Sequence, residues 1–423
     1  MKRDTKMQRA KGEMQNIKCK MQNANISEKV FPSLLCLLHF AFCPFTNAQT
    51  LTLQDALQSA YKNHPTIQQN DLLVQQQQAL VKTANTLDPF SINGNFGQAN
   101  SKAFDYNIAA QQPFRFPTVI KADRNVLEQK VNVLKAAGAV TKNELTRNVT
   151  AAYYNWLYSW KQFYLLNELD STYSEFEKYA NKKYAVGETG ILEKTNAKAQ
   201  LSIIELQKKS AQAQINIYQT ELQQWMMSIT ELKPPTDFTT LPKPLIADTT
   251  LLQSNSLLLY NQQQIVLSKA ELNAEKTKSL PSPFVGINTL SIDNQIPFTA
   301  FTIGANVPLF KNGVKAKTKA AQFGVQAAEK ENEKNKWQLN NAYKQAYLQF
   351  QKAQQQLNYY QTEGLQYASI ILNAANKSYK AGDIGYIEYV QNIKEAISLK
   401  ANYLQAINDY NQAVIQINYL LNK

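Results

Sequence analysis

The sequence predicts a mostly α-helical, internally duplicated chain that carries a pair of transmembrane β-hairpins. The first observation is a stretch that occurs twice. Asn181-Lys-Lys-Tyr-Ala-Val-Gly-Glu-Thr-Gly-Ile-Leu-Glu193 and Asn376-Lys-Ser-Tyr-Lys-Ala-Gly-Asp-Ile-Gly-Tyr-Ile-Glu388 share Asn, Lys, Tyr, an acid, two Gly and Glu without a gap. Their offset of 195 residues is about half of the chain behind its leader, too long for a solenoid repeat. The second observation is three-and-four apolar spacing sustained over far more residues than a globular helix needs. The third is four short segments in which the spacing changes to two.

Composition supports extended helices. Gly and Pro number only 13 and 14 in 423 residues, while Gln, Asn, Lys and Ala fill long unbroken runs. Residues 1–48 read as a leader: Lys18, Lys20 and Lys29 precede the apolar run from Val30 to Phe45, and Thr46-Asn47-Ala48 offers a cleavage site before Gln49. All three cysteines, Cys19, Cys36 and Cys43, fall in it, so the cleaved chain is expected to have neither disulfide nor thiolate site. Its loss removes eight basic and three acidic residues, and the formal charge falls from +13 to +8. Those charges are spread singly along helices, so no nucleic-acid partner is expected.

The first repeat is expected over residues 49–232. A short amphipathic helix from Leu51 stops at Pro65, and a second covers residues 66–87. Alternation at Phe90, Ile92, Gly94 and Phe96, and again at Phe104, Tyr106, Ile108 and Ala110, predicts a hairpin over about 89–113 around Asn100-Ser101-Lys102. Leu145, Val149, Ala152, Trp156, Phe163, Leu166, Tyr173, Ala180 and Tyr184 mark a helix over about 118–184. At ~1.5 Å per residue it would be roughly 100 Å long. The tip turn at about 184–191 and a returning helix over 192–229 follow. Trp156, Trp160, Phe163 and Trp225 read as packing residues.

A Pro-rich connector, 233–247, separates the second repeat, 248–423. There a helix is expected over 249–279, a hairpin over about 283–308, a helix over about 315–380, a tip turn over about 379–387, and a last helix over 388–421. Pro113 and Pro308 leave the hairpins at the same offset as the glycine turns.

In each half one long helix matches two short ones in summed length, so two short helices stacked end to end would line one wall. Four strands with one apolar face cannot stay an open sheet in lipid, where unpaired edge groups cost several kcal/mol each. One chain has too few strands for a closed barrel, since the smallest have about eight. Three chains would supply twelve strands and carry the helices into a hollow cylinder.

These residues resemble the TolC family of outer-membrane efflux proteins. The resemblance rests on Leu51-Thr-Leu-Gln-Asp-Ala-Leu57, Gln112-Pro-Phe-Arg-Phe-Pro117, Val307-Pro-Leu-Phe310 and both Tyr-x-x-Gly turns, in that order. It implies a homotrimer with a twelve-stranded β-barrel in outer-membrane lipid, four strands per chain, and a periplasmic α-barrel. It further implies passive conduction of drugs, metal ions or other small solutes. The partners would be a periplasmic adaptor (membrane fusion) protein and an inner-membrane pump of the resistance-nodulation-division class. The stretch from Gln112 to Pro117 looks most like members serving heavy-metal pumps of that class. The adaptor would dock on the tips, at Tyr184, Gly187, Gly190, Tyr379, Gly382 and Gly385. Acidic rings past the second turn narrow the family's tip; Glu388 matches the first acidic position, Gln391 stands where a second acid belongs, and Asp383 is its substitute. Glu193 is the first-repeat counterpart of Glu388. Glu388 and Glu193 also read as helix-start carboxylates favoured by the helix dipole.

No catalytic constellation, cofactor or metal site is expected, because the cleaved chain has one histidine, His64, placed before Pro65 as a helix-end residue, and no phosphate-binding glycine loop. A secreted or periplasmic coiled-coil protein is the alternative that the aromatic-faced strands oppose. A porin-like channel without pump partners is the alternative that the glycine tips oppose.

Overall fold

The structure, a computed structural model, describes residues 50–98, 101–229, 232–235, 240–244, 249–293, 295–309 and 311–423. The expected leader and Asn100 of the first hairpin turn lie outside the described residues. Helix α1 (Leu53–Asn63) begins on a capping box, in which Thr52 accepts from the Asp55 amide and Asp55 accepts from the Thr52 amide. This satisfies two of the donors that a helix start leaves open. Helix α2 (Pro65–Val81) follows at once, with Pro65 in its first turn and His64 Nδ1 accepting from the Thr66 amide. His64 is therefore a helix cap. Helix α2 is shorter than the expected 66–87 and tightens into a 3-10 turn, Lys82–Asn85. There Arg115 takes the carbonyls of Ala84 and Thr86, oxygens that a continuing helix would use.

The hairpins form one antiparallel sheet in the order β1 (Ser91–Gly97), β2 (Asp105–Pro113), β3 (Ser282–Ile292) and β4 (Gln295–Asn306). Ile92 lies opposite Ala110, Ala110 opposite Ile287, and Ile287 opposite Phe301. Residues directly opposite share a face. Ile92, Phe96, Ile108, Val285, Ile287, Phe301 and Ile303 therefore project from one side, and Asn93, Asn95, Asn107, Asn288 and Thr302 from the other. The apolar side is bare: Phe301 and Ile303 are each 85% exposed. Strands β1 and β4 are the outer strands, each with one unpaired edge among the described residues. Strand β4 takes in Pro297, which an outer strand tolerates because half of its amides need no ladder partner.

Helix α3 (Pro117–Ala185) runs unbroken for 69 residues. Helix α4 (Ile191–Met226) returns along it and stops three residues before the expected end. Met227 takes φ 49°, and the Ser228 amide reaches back to the Gln223 carbonyl. The expected helix over 249–279 is divided: a 3-10 turn, Thr249–Ser254, precedes α5 (Ser256–Thr277). Asn255 makes the break, because its Oδ1 caps the Leu257 amide while its Nδ2 donates to the Leu420 carbonyl.

The second long helix departs from expectation as well. It consists of α6 (Asn312–Tyr359), a π turn (Tyr360–Gly364) and α7 (Leu365–Ala381), followed by α8 (Tyr386–Leu421). Gly364 is buried, and the Tyr360 ring stands 2.7 Å from where its Cβ would be. Only glycine leaves room for that ring, which the wider turn lays against the apolar core between α6 and α8.

Helix α3 packs on α2 and α4 along one side and on α5 and α8 along the other, while α5 and α8 pack in turn on α6, and α8 also on α7. Short helices thus accompany each long one, with α2 and α4 at one margin of the wall and α6 and α7 at the other. Both margins bear exposed apolar side chains eleven residues apart: Leu192 and Ile203, and Leu206 and Ile217, on α4, and Trp337, Leu348 and Tyr359 on α6. An eleven-residue period runs almost parallel to a helix axis. The middle of the wall is packed around the fully buried Trp156 with Leu157, Ile215 and Leu222, and Trp160, Phe163 and Trp225 lie against this core. The connector is tied to it where the Leu51 amide meets the Lys233 carbonyl and the Leu241 amide meets Asn411 Oδ1. No helix among the described residues is long and apolar enough to cross a membrane.

Candidate functional site

The two glycine turns reverse the chain by the same bonds. The Glu188 amide donates to the Lys183 carbonyl and the Gly187 amide to Tyr184; the Asp383 amide donates to Ser378 and the Gly382 amide to Tyr379. Gly187 and Gly382 have φ of 76° and 86°, the left-handed conformation that ends helices and that side chains with a Cβ resist. Gly190 and Gly385 are extended and cap the following helices. Only one glycine of each turn is therefore conformationally required. An added Cβ would meet nothing within 4 Å at any of the four, so the requirement at Gly187 and Gly382 is one of backbone alone.

The turns are joined to each other. Tyr379 donates to Glu193 Oε1 at 2.5 Å, and Thr189 donates to Glu193 Oε2. Tyr379 is 4% exposed and Glu193 8%. A hydrogen bond to a buried carboxylate is among the stronger kinds, because the low-dielectric surroundings do not screen it. The Tyr379 ring stacks on Tyr389 with centroids 4.4 Å apart and meets Phe176 and Tyr179 edge-on at 5.5 and 5.4 Å. Tyr389 in turn donates to Asn376 Oδ1, and Lys183 lies over the rings of Tyr179 and Tyr379. Burial holds the Tyr389 hydroxyl up to about 12. For Tyr379 burial is again the first cause of an upward shift, and the hydrogen bond and charge of Glu193 add to it.

Of the three acids named from the sequence, Glu193 is thus taken up inside the protomer, at a helix start but also at a tyrosine hydroxyl. Asp383 and Glu388 are exposed. Tyr184 is 39% exposed, with Lys194 over its ring at 4.5 Å. Between the tips lies a cavity of about 220 Å³, lined by Glu175, Lys178 and Lys182 from the first hairpin and by Asn376 and Lys380 from the second, over an aromatic floor. Val186, Ile191, Leu192 and Ile387 are exposed around the turns. The arrangement suits the attachment of a partner rather than a reaction. Among the described residues no group of histidines, cysteines and acids is placed to hold a metal.

Sequence reasoning missed Phe176, Tyr179 and Tyr389, which seat Tyr379. For Phe176 and Tyr179 the signal was present as aromatic residues at three-residue spacing from Tyr173, but it reads equally as one more apolar stripe. It missed Arg115 too, which holds Asp88 and Asp123 at 3.5 and 3.1 Å besides the two carbonyls and so fixes the strands to the helices.

Residues 250–423 match the family described as outer membrane efflux protein. No curated protein matches the chain in sequence. Several solved structures are similar to it. One is CusC, studied for the conformational changes of folding and transmembrane channel formation, with 17% identity and a TM-score of 0.74 over 87% of this chain and 91% of that one. Another is the CmeC outer membrane channel of Campylobacter jejuni, with 14% identity and a TM-score of 0.70 over 95% and 94%. The outer membrane protein VceC of Vibrio cholerae has 12% identity and a TM-score of 0.71 over 87% and 95%. At such identities the likeness is one of fold.

Proposed function

We propose, for a chain whose residues 250–423 match the family described as outer membrane efflux protein, that it is one protomer of a trimeric exit duct of the TolC kind. The family is one of transport channels, so no reaction is assigned. In this reading the cleaved chain is a duplicated unit whose four strands join those of two further copies in a twelve-stranded barrel in outer-membrane lipid. The helical wall continues below as a periplasmic α-barrel. Substrates pumped by an inner-membrane resistance-nodulation-division partner, and relayed by a periplasmic adaptor, leave through it passively.

The carrying observation is the sheet: an uncovered apolar face, a polar opposite face, and an unpaired edge on both outer strands. In lipid those edges must find partners, and β4 of one copy against β1 of the next supplies them. The exposed apolar rows at the two margins of the wall favour closure in the same sense. The cavity between the tips, with three lysines over aromatic rings, is a suitable seat for the end of an adaptor hairpin. Asp383 and Glu388 are the candidate gate acids.

The test is the mass of the detergent-extracted protein by light scattering, with conductance in planar bilayers. A trimer with steady conductance is expected. A monomer that keeps its β-signal would defeat the reading. Conductance without any rise in drug, metal or detergent sensitivity on gene deletion, paralogues also deleted, would leave a porin-like channel instead.

A further inference from the structure

The two copies of the repeated stretch are used unequally within one chain. Tyr379 and Glu193 come from opposite copies and make the buried hydrogen bond. Their counterparts at the 195-residue offset, Tyr184 and Glu388, are left on the surface. Among the described residues the Tyr184 hydroxyl has no hydrogen-bond partner, and the Glu388 carboxylate has neither hydrogen bond nor ion pair.

The unused tyrosine is nevertheless set up like the used one. Tyr379 is covered on one face by the residue ten positions on, Tyr389, at 4.4 Å between centroids. Tyr184 is covered by the residue ten positions on, Lys194, at 4.5 Å. The second hairpin differs where the first carries its rings. Phe176 and Tyr179, which flank Tyr379, correspond by the same offset to Ile371, half-buried, and Ala374, exposed. Both are apolar and smaller than the rings they replace, and neither is fully buried within the chain.

We infer that Tyr184 of one copy donates to Glu388 of the adjacent copy. The inference rests on the ring of three chains proposed above and goes beyond it by naming the bond that closes the tip. In such a ring first and second hairpins alternate. Within a chain the tyrosine of the second hairpin meets the glutamate of the first. Between chains the tyrosine of the next first hairpin meets the glutamate of the second. All six junctions then share one chemistry. Glu388 on this account is a partner of a phenol at the seam, and its removal acts by loosening the tip.

Cross-linking tests it. A tyrosine and a glutamate that meet at their tips stand too far apart at Cβ for a direct disulfide, so a short bifunctional thiol reagent is used on Tyr184→Cys/Glu388→Cys. The three natural cysteines lie within residues 1–48, so in the cleaved chain the engineered thiols react alone. Dimer and trimer bands are expected on denaturing gels. The control pair Tyr379→Cys/Glu193→Cys should cross-link at monomer mass. Monomer-mass product, or none, from the first pair in a preparation that light scattering shows to be trimeric would overturn the inference and leave the trimer standing; a preparation that is monomeric would defeat both. As a second measure, Tyr184→Phe and Glu388→Gln should each raise tip conductance, and the double variant should raise it no further than the larger single effect. Independent effects that multiply, or a silent Tyr184→Phe, would overturn it as well.

Discussion

Replacing Tyr379 by Phe removes one oxygen from a buried hydrogen bond between the two hairpins. The ring keeps its stack on Tyr389 and its edge contacts with Phe176 and Tyr179, so packing is nearly conserved. What changes is Glu193, 8% exposed, which is left with Thr189 as its hydroxyl donor. Leaving a buried charged group short of a partner costs ~1.5–3 kcal/mol. At ~1.4 kcal/mol per factor of ten, the ratio of joined to separated hairpins should fall about 10- to 100-fold. Hydrogen exchange read by mass spectrometry over the amides around Gly187 and Gly382 measures that ratio directly. Amides of the middle core around Trp156 serve as the reference and should not change. If Tyr379→Phe left exchange at both tips within about twofold of wild type, the bond would be incidental to holding the hairpins together, and the burial argument would fail.

Gly187→Val and Gly382→Val should each cost ~1–3 kcal/mol through positive φ alone, spare barrel assembly at the far end of the wall, and abolish efflux; export and adaptor pull-down equal to wild type would reduce the repeated stretch to a turn. Alkaline pH should loosen the tips: Tyr173 and Tyr389 are held up to about 12 by burial and tyrosines of the unfolded chain titrate near 10. The folded state therefore keeps these protons longer, and the stability they contribute is whole below pH 10 and is lost as pH climbs through about 12. Tyr389→Phe should make that loss shallower in exchange measurements, and an unchanged slope would count against it. Arg115→Ala strips two carbonyl bonds and the ion pairs to Asp88 and Asp123, half-buried contacts worth ~1–3 kcal/mol together; a lower yield of heat-modifiable oligomer is expected, and normal yield would place the barrel's footing elsewhere.

The long helices and the strands were legible because periodicity is a one-dimensional signal. Three-and-four spacing sustained over about 118–184 reads as helix, and Phe90 to Phe96 alternates as a strand does. What escaped was decided by contacts between distant residues. Asn255 ends one helical turn and begins another because Leu420 offers it a carbonyl. Met227 turns left-handed without being glycine. The π turn rests on a tyrosine ring finding the bare face of Gly364, and no spacing announces that. At the tip the repeated residues themselves were conspicuous, but their division into Tyr379 with Glu193 inside and Tyr184 with Glu388 outside depends on which hairpin neighbours which, a fact of the fold.

The π turn also sets the phase of the second hairpin. In an α-helix each residue advances the chain by ~100° about the axis, and a π turn takes one residue more before its bond closes, here from the Leu365 amide to the Tyr360 carbonyl. Every side chain from Leu365 onward is therefore clocked back by about one residue relative to the shaft above it. Deleting a single residue between Tyr360 and Gly364 would restore an ordinary helix of nearly the same height with Tyr379 facing as before, whereas winding the same residues into α turns with none deleted would swing Tyr379 by ~100° away from Glu193. In that second case the shaft would still pack and the turn at Gly382 would still reverse. The second hairpin would simply present the wrong side to the first, so the angular setting of the whole tip depends on how one surplus residue some fifteen positions above it is wound.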